Sequence, residues 1–154
     1  MLAVPIEENV ARKNDESFYD ENLEKILACL QLSEEIADNR KMMQVRITAF
    51  INPDILPVLS KIPIDQATVK QFHRAIFDED TTSIQELLPE EKLDQNVLRN
   101  GLKRMRKFAE KIQVSNVRVL VDAEYRKGNS NFCVLDLPLN LIVEKSLRIL
   151  NKAI

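Results

Sequence analysis

Two hydrophobic periods alternate along this chain. Leu23, Ile26, Leu27 and Leu30 recur at the spacing of one helical face, after an acidic Asp20–Glu21 pair that complements the positive end of a helix dipole. The spacing predicts a helix over about 20–38. Met42 to Phe50 is then rich in apolar and β-branched residues and is stopped by Asn52-Pro53, which predicts a strand. Between Pro53 and Leu88, the prolines Pro53, Pro57 and Pro63 and the acidic run Asp78-Glu79-Asp80 break up short helical stretches such as Val69 to Phe77. The reading here is a helical insertion with loops.

Pro89-Glu90-Glu91 offers a proline for a first helical position with acids in the first turn, and Leu93, Val97, Leu98, Leu102, Met105, Ala109 and Ile112 follow as one stripe. A long amphipathic helix is expected from Pro89 to about Gln113. Val117 to Tyr125 is apolar, ends in acids and runs into Lys127-Gly128-Asn129-Ser130, so it reads as a second strand. A last helix is expected over about Leu139 to Leu150. Apolar strands separated by amphipathic helices argue for parallel βαβ units, and hence the α/β class, in one domain over residues 1–154. Two firm strands cannot close a sheet by themselves.

Composition narrows the function classes. With 22 basic and 24 acidic side chains the formal net charge is −2, so no overall field draws the chain to nucleic acid or an anionic surface. The basic series Arg99, Lys103, Arg104, Arg106, Lys107 and Lys111 lacks interleaved aromatics and reads as the solvated side of the long helix. Cys29 and Cys133 lie far apart and outside any CxxC spacing, which fits a reducing compartment, and His73 has no second histidine with which to build a metal site. With only Gly101 and Gly128, no glycine-rich loop is available to cradle a phosphate. The opening residues carry no basic flank before an apolar core, and no transit segment is read there.

Two pairs of residues stand out as candidate chemistry. Asp122 and Glu124 are two apart near the end of the second strand, where active sites of α/β barrels lie, although a turn role for Asp122 and a solvated rim position for Glu124 fit the spacing equally. Arg46 and Thr48 are spaced the same way in the first strand. A cation inside an apolar strand calls for an anion, since removing one partner of a buried pair costs roughly 3–5 kcal/mol. Asp122 on a neighbouring strand is the natural partner, and a solvated Arg46 at a strand end is the simpler alternative.

Val117-Arg118-Val119-Leu120-Val121-Asp122-Ala123-Glu124-Tyr125 closely resembles the Val-Asp-Ala-Glu barrel strand of eukaryotic proline dehydrogenases. Val45-Arg46-Ile47-Thr48-Ala49-Phe50 resembles an earlier strand of that family, with arginine where lysine is usual, and Val4 to Glu8 looks like the acidic turn after its first strand. Phe18 to Cys29 and Leu88 to Ile112 look like the family's intervening helices. The resemblance runs in order over about 1–125, is weak between Pro53 and Leu87, and fades over 126–154.

It implies the first few βα units, with a helical insertion, of a partial (β/α)8 TIM-like barrel that holds FAD, without the later strands of the flavin and proline sites. The implied reaction is oxidation of L-proline to pyrroline-5-carboxylate, with electrons passed to quinone at the inner mitochondrial membrane; hydroxyproline is the alternative substrate. By position, Asp122 matches the strand aspartate beside the flavin and an active-site cation, and Arg46 matches the lysine that helps hold the substrate carboxylate. Glu7 matches an acid that pairs with an arginine over the closed site. The rival expectation is a non-catalytic interaction protein, its open sheet edge and apolar face satisfied by another chain.

Overall fold

The computed structural model describes residues 2–3, 12–36, 41–59, 61–63 and 65–122. The strand end at 123–125, the helix expected over 139–150, Cys133 and Glu7 lie outside these residues.

A short strand β1 (Leu2–Ala3) pairs in parallel with β2 (Met42–Arg46), an alignment that no periodicity had marked. Helix α1 (Glu16–Glu35) separates them. It starts four residues earlier than the acidic Asp20–Glu21 pair suggested, because Asp15 caps it by accepting the backbone N–H of Ser17. Its buried stripe of Leu23, Ile26 and Leu30 is the one the spacing predicted.

β2 is shorter than the expected strand. After Arg46 the chain tightens into a 3-10 turn over Ile47–Ala49, closed by the Phe50 N–H on the Ile47 carbonyl at 2.9 Å. The β-branched Ile47 and Thr48 favour extended backbone, but Ile47, Ala49 and Phe50 are all buried in the core, and tertiary packing overrides that local preference. A second 3-10 turn, Pro53–Ile55, leads into a single helical turn α2 (Leu56–Leu59), followed by α3 (Gln66–Phe77), capped by Asp65, and α4 (Thr82–Glu86).

The long helix α5 (Gln95–Gln113) begins not at Pro89 but after Asp94, whose carboxylate accepts the N–H groups of Asn96 and Val97. Residues 87–93 are held as a loop by Gln85. Its amide donates to the carbonyls of Leu88 (2.9 Å) and Glu91 (2.6 Å), and its carbonyl accepts from the Leu93 N–H and the Gln95 amide at 3.1 Å each. A fully satisfied carboxamide thus competes successfully with the helix start that Pro89 would have favoured.

β3 (Arg118–Asp122) completes a parallel sheet in the order β1-β2-β3. Strand order follows chain order, and both crossovers pack on one side. Met43 and Val45 of β2 are buried in one core with Leu23, Ile26 and Leu30 of α1 and Leu98, Leu102 and Met105 of α5, against which Val119 and Val121 also pack. Side chains alternate across a strand, so positions 42, 44 and 46 of β2, and 118, 120 and 122 of β3, belong to the opposite face. Among the described residues no helix covers that face, and Leu120 is 46% exposed on it. The described residues form a singly wound arrangement; a doubly wound sheet would carry helices on both faces.

Candidate active site

The register between β2 and β3 pairs Arg46 with Asp122, each the last residue of its strand. They form the terminal rung of the uncovered face, after the Met42–Arg118 and Gln44–Leu120 rungs. Two candidate residues 76 positions apart in sequence are therefore brought together at the carboxyl edge of a parallel sheet, the edge where the strand-to-helix loops of α/β enzymes gather. The side chain of Asp122 lies outside the described part of the structure, as do Glu7 and Glu124.

Arg46 itself is exposed, which corrects the expectation of a cation inside an apolar strand. Its backbone is extended (φ −111°, ψ 144°) and turns immediately into the 3-10 turn that follows. The desolvation argument applied to Arg46 holds instead for Arg104, which the sequence pattern had assigned to the solvated side of α5. Arg104 is only 4% exposed. Its Nε donates to Asp20 Oδ1 (2.7 Å), its Nη2 to both the carboxylate (2.7 Å) and the carbonyl (3.1 Å) of Glu16, and its Nη1 to the carbonyl of Phe50 (3.2 Å). The guanidinium also sits 5.5 Å from the centre of the Tyr19 ring. One planar fork thus joins α5, the start of α1 and the turn leaving β2, a set of contacts suited to arginine and not to lysine. No local spacing marks Arg104, because its partners are 54 to 88 residues away.

Burial pushes the Tyr19 phenol up to about 12, helped by the nearby carboxylates of Glu16 and Asp54 and opposed by Arg104. Asn52, also buried, donates to Asn14 at 3.0 Å and accepts the Asp54 N–H at 2.9 Å, so it ties the loop after β2 to the segment that enters α1. An open groove of about 380 Å³ lies between these segments and the start of α5. Glu16, Asp54, Asp94 and Lys92 line it beside apolar Ile55 and Leu93, while Arg46 is not among its lining residues.

The class of protein this chain resembles is the dehydrogenases. The particular relatives are hydroxyproline dehydrogenases. That of Xenopus laevis is 36% identical over 133 residues, covering 84% of this chain and 28% of the relative. That of Rattus norvegicus is 30% identical over 156 residues, covering 95% and 34%. The Mus musculus protein is 29% identical over 135 residues, covering 81% and 29%. The chain therefore spans about a third of the length of the curated relatives it matches. No protein-family model and no solved structure matches it.

Proposed function

We propose that this chain forms one wall of the active site of an FAD-dependent dehydrogenase of a cyclic imino acid, with hydroxyproline favoured over proline by the names of its relatives. The observation that carries the proposal is the Arg46–Asp122 rung, which ends two adjacent parallel strands on the face turned away from the helices. A segment of a (β/α)8 barrel, with that face as lumen wall, belongs to the same proposal, as do quinone as electron acceptor and the inner mitochondrial membrane as location.

A flavin ring requires an apolar surface with hydrogen-bonding groups near it, and the described residues fit that part of the cofactor. Leu120 offers exposed apolar surface in the middle of β3, Gln44 is its register partner, and Arg46 lies one rung further along. No phosphate cradle occurs among the described residues. When bound, FAD would accept the hydride removed from the imino acid.

Arg46 would bind the substrate carboxylate. Its fork can make two parallel hydrogen bonds where a lysine would supply a point charge, which fixes the orientation of the ring as well as its affinity. Asp122, as cross-strand partner, would keep the guanidinium aligned and hold its charge toward the substrate. Positioning is the contribution expected of both residues, the cofactor doing the redox chemistry.

Purified protein should show a flavin absorption spectrum that bleaches anaerobically on adding hydroxyproline, and more slowly with proline. Arg46→Met should raise KM for the imino acid by roughly 10- to 100-fold, the loss expected for one charge-assisted pair. Protein without flavin, or an Arg46→Met variant with unchanged KM, would overturn the proposal and favour a non-catalytic interaction protein.

A further inference from the structure

We infer that Arg104 is a positioning residue that acts through Arg46, an inference that rests on the reading of Arg46 as the carboxylate-binding group. Arg46 is joined to the rest of the fold on its carboxyl side by one 3-10 turn, Ile47–Ala49, closed by the Phe50 N–H on the Ile47 carbonyl at 2.9 Å. A single closed turn has little slack, so a displacement of Phe50 is passed back to Arg46.

Phe50 and Ile51 are gripped by one face of α5 at three points. Gly101 lets Ile51 approach so closely that an added Cβ would lie 2.5 Å from its Cδ1. Arg104 Nη1 donates to the Phe50 carbonyl at 3.2 Å, and the Phe108 ring packs on the Phe50 ring with centroids 5.3 Å apart. The two apolar contacts limit how closely the turn approaches α5 but not its orientation, whereas the hydrogen bond is directional. Arg104 is therefore the contact that sets where the turn lies, and its other nitrogens fix that position relative to α1 through Glu16 and Asp20.

The burial of this cation supports the assignment. A guanidinium withdrawn from water to 4% exposure is an expensive way to fill space, and well-packed apolar side chains of similar volume commonly serve stability as well or better. What the ionic cluster adds is a defined geometry. Its charge is also matched by Glu16 and Asp20, so it does not compete with Arg46 for a ligand carboxylate.

A double-mutant cycle on the full-length protein tests this, with KM and kcat for hydroxyproline measured for Arg46→Met, Arg104→Met and the double variant. Arg104→Met should raise KM roughly tenfold and lower kcat by much less, because misplacement of a binding group is felt in affinity first. In the Arg46→Met background the same change should alter KM by less than about twofold, since the residue through which it acts is gone. Arg104→Lys should recover only part of the loss, having no fork to reach Phe50, Glu16 and Asp20 together. Equal effects in both backgrounds would overturn the positioning role while leaving the reading of Arg46 intact. An Arg46→Met variant with unchanged KM would overturn that reading first, and this inference with it. If Arg104→Met does not fold, Glu16→Gln, which loosens the same cluster from its partly exposed end, replaces it in the cycle with the same expectations.

Discussion

Gly101 and Ile51 stand in a contact that no larger pair of residues could make. A Cβ built on Gly101 would fall 2.5 Å from Ile51 Cδ1 and 2.8 Å from its Cβ, so a side-chain rotation alone cannot relieve the clash. Helix propensity favours alanine over glycine in the middle of α5 by about 1 kcal/mol, and overpacking opposes it by roughly 1–3 kcal/mol. Steric conflict should win. Gly101→Ala is expected to destabilise the protein by up to about 2 kcal/mol in urea denaturation, and Ile51→Val should recover part of that loss in the double variant. A more stable Gly101→Ala protein would show that α5 and the turn after β2 are further apart than described.

That contact also shows where sequence reading stops. The stripes Leu23-Ile26-Leu30 and Leu98-Leu102-Met105 were legible because helical burial repeats every three to four residues, and β2 and β3 because apolar runs between breakers are strand-like. The start of α5 was not legible, since Pro89-Glu90-Glu91 is a good local helix signal and only the distant Gln85 cancels it. Thr48 in a 3-10 turn and Arg104 in the core failed for the same reason: local preference was overruled by packing partners far along the chain. For the candidate site, spacing and family resemblance picked out Arg46 and Asp122 as partners on neighbouring parallel strands, and the folded chain adds the register, fixed by the crossover and its packing, that makes them one rung.

Glu79 is the one described non-glycine residue at positive φ, 56°, just past the end of α3. This is the position where helices commonly end in glycine, because a Cβ in the left-handed region costs about 1 kcal/mol or more. Glu79 is exposed, so shortening it removes no packing. Glycine also gains entropy in the unfolded chain, which offsets part of the relief. Glu79→Gly should therefore stabilise by a few tenths to about 1 kcal/mol, with Glu79→Asn between the two, in thermal or urea denaturation. A destabilised glycine variant would mean that Glu79 makes an interaction worth more than its strain.

Three capping or turn aspartates set the acid limb of stability. The Ser17 hydroxyl, followed by Arg12, holds Asp15 below its ordinary 3.8; the Thr68 backbone N–H does so for Asp65, and the Thr82 hydroxyl for Asp80. A carboxylate with a lowered folded pKa binds its proton less tightly in the native state than in the unfolded one. Its contribution is then complete above the ordinary value and is lost as pH falls through the lowered one. Stability should hold from neutrality down to about pH 4 and decline below it. Replacing all three aspartates by asparagine, which can still cap a helix, should lower stability at neutral pH and flatten this decline. Urea midpoints measured across the range check it, and parallel curves for the two proteins would reject the assignment.

At the alkaline end the governing group is Tyr19. It is buried beneath Arg104, its hydroxyl donates to the Lys13 carbonyl at 2.7 Å, and burial raises its pKa from 10.0 to about 12. The fold accommodates the neutral phenol, so the native state keeps the proton after the unfolded chain has begun to lose it. Tyr19 therefore contributes its full share below pH 10.0, and that share disappears as pH rises toward about 12. Tyr19→Phe removes the titration along with one hydrogen bond. The variant should be about 1 kcal/mol less stable at neutral pH, and the two stability curves should converge as the wild type falls through this window. The phenolate absorbance gives a second check, because Tyr19 is one of only two tyrosines in the chain. Half of the signal should appear well above pH 10 in the native protein and shift down on unfolding; both tyrosines ionising together near pH 10 would place Tyr19 in water.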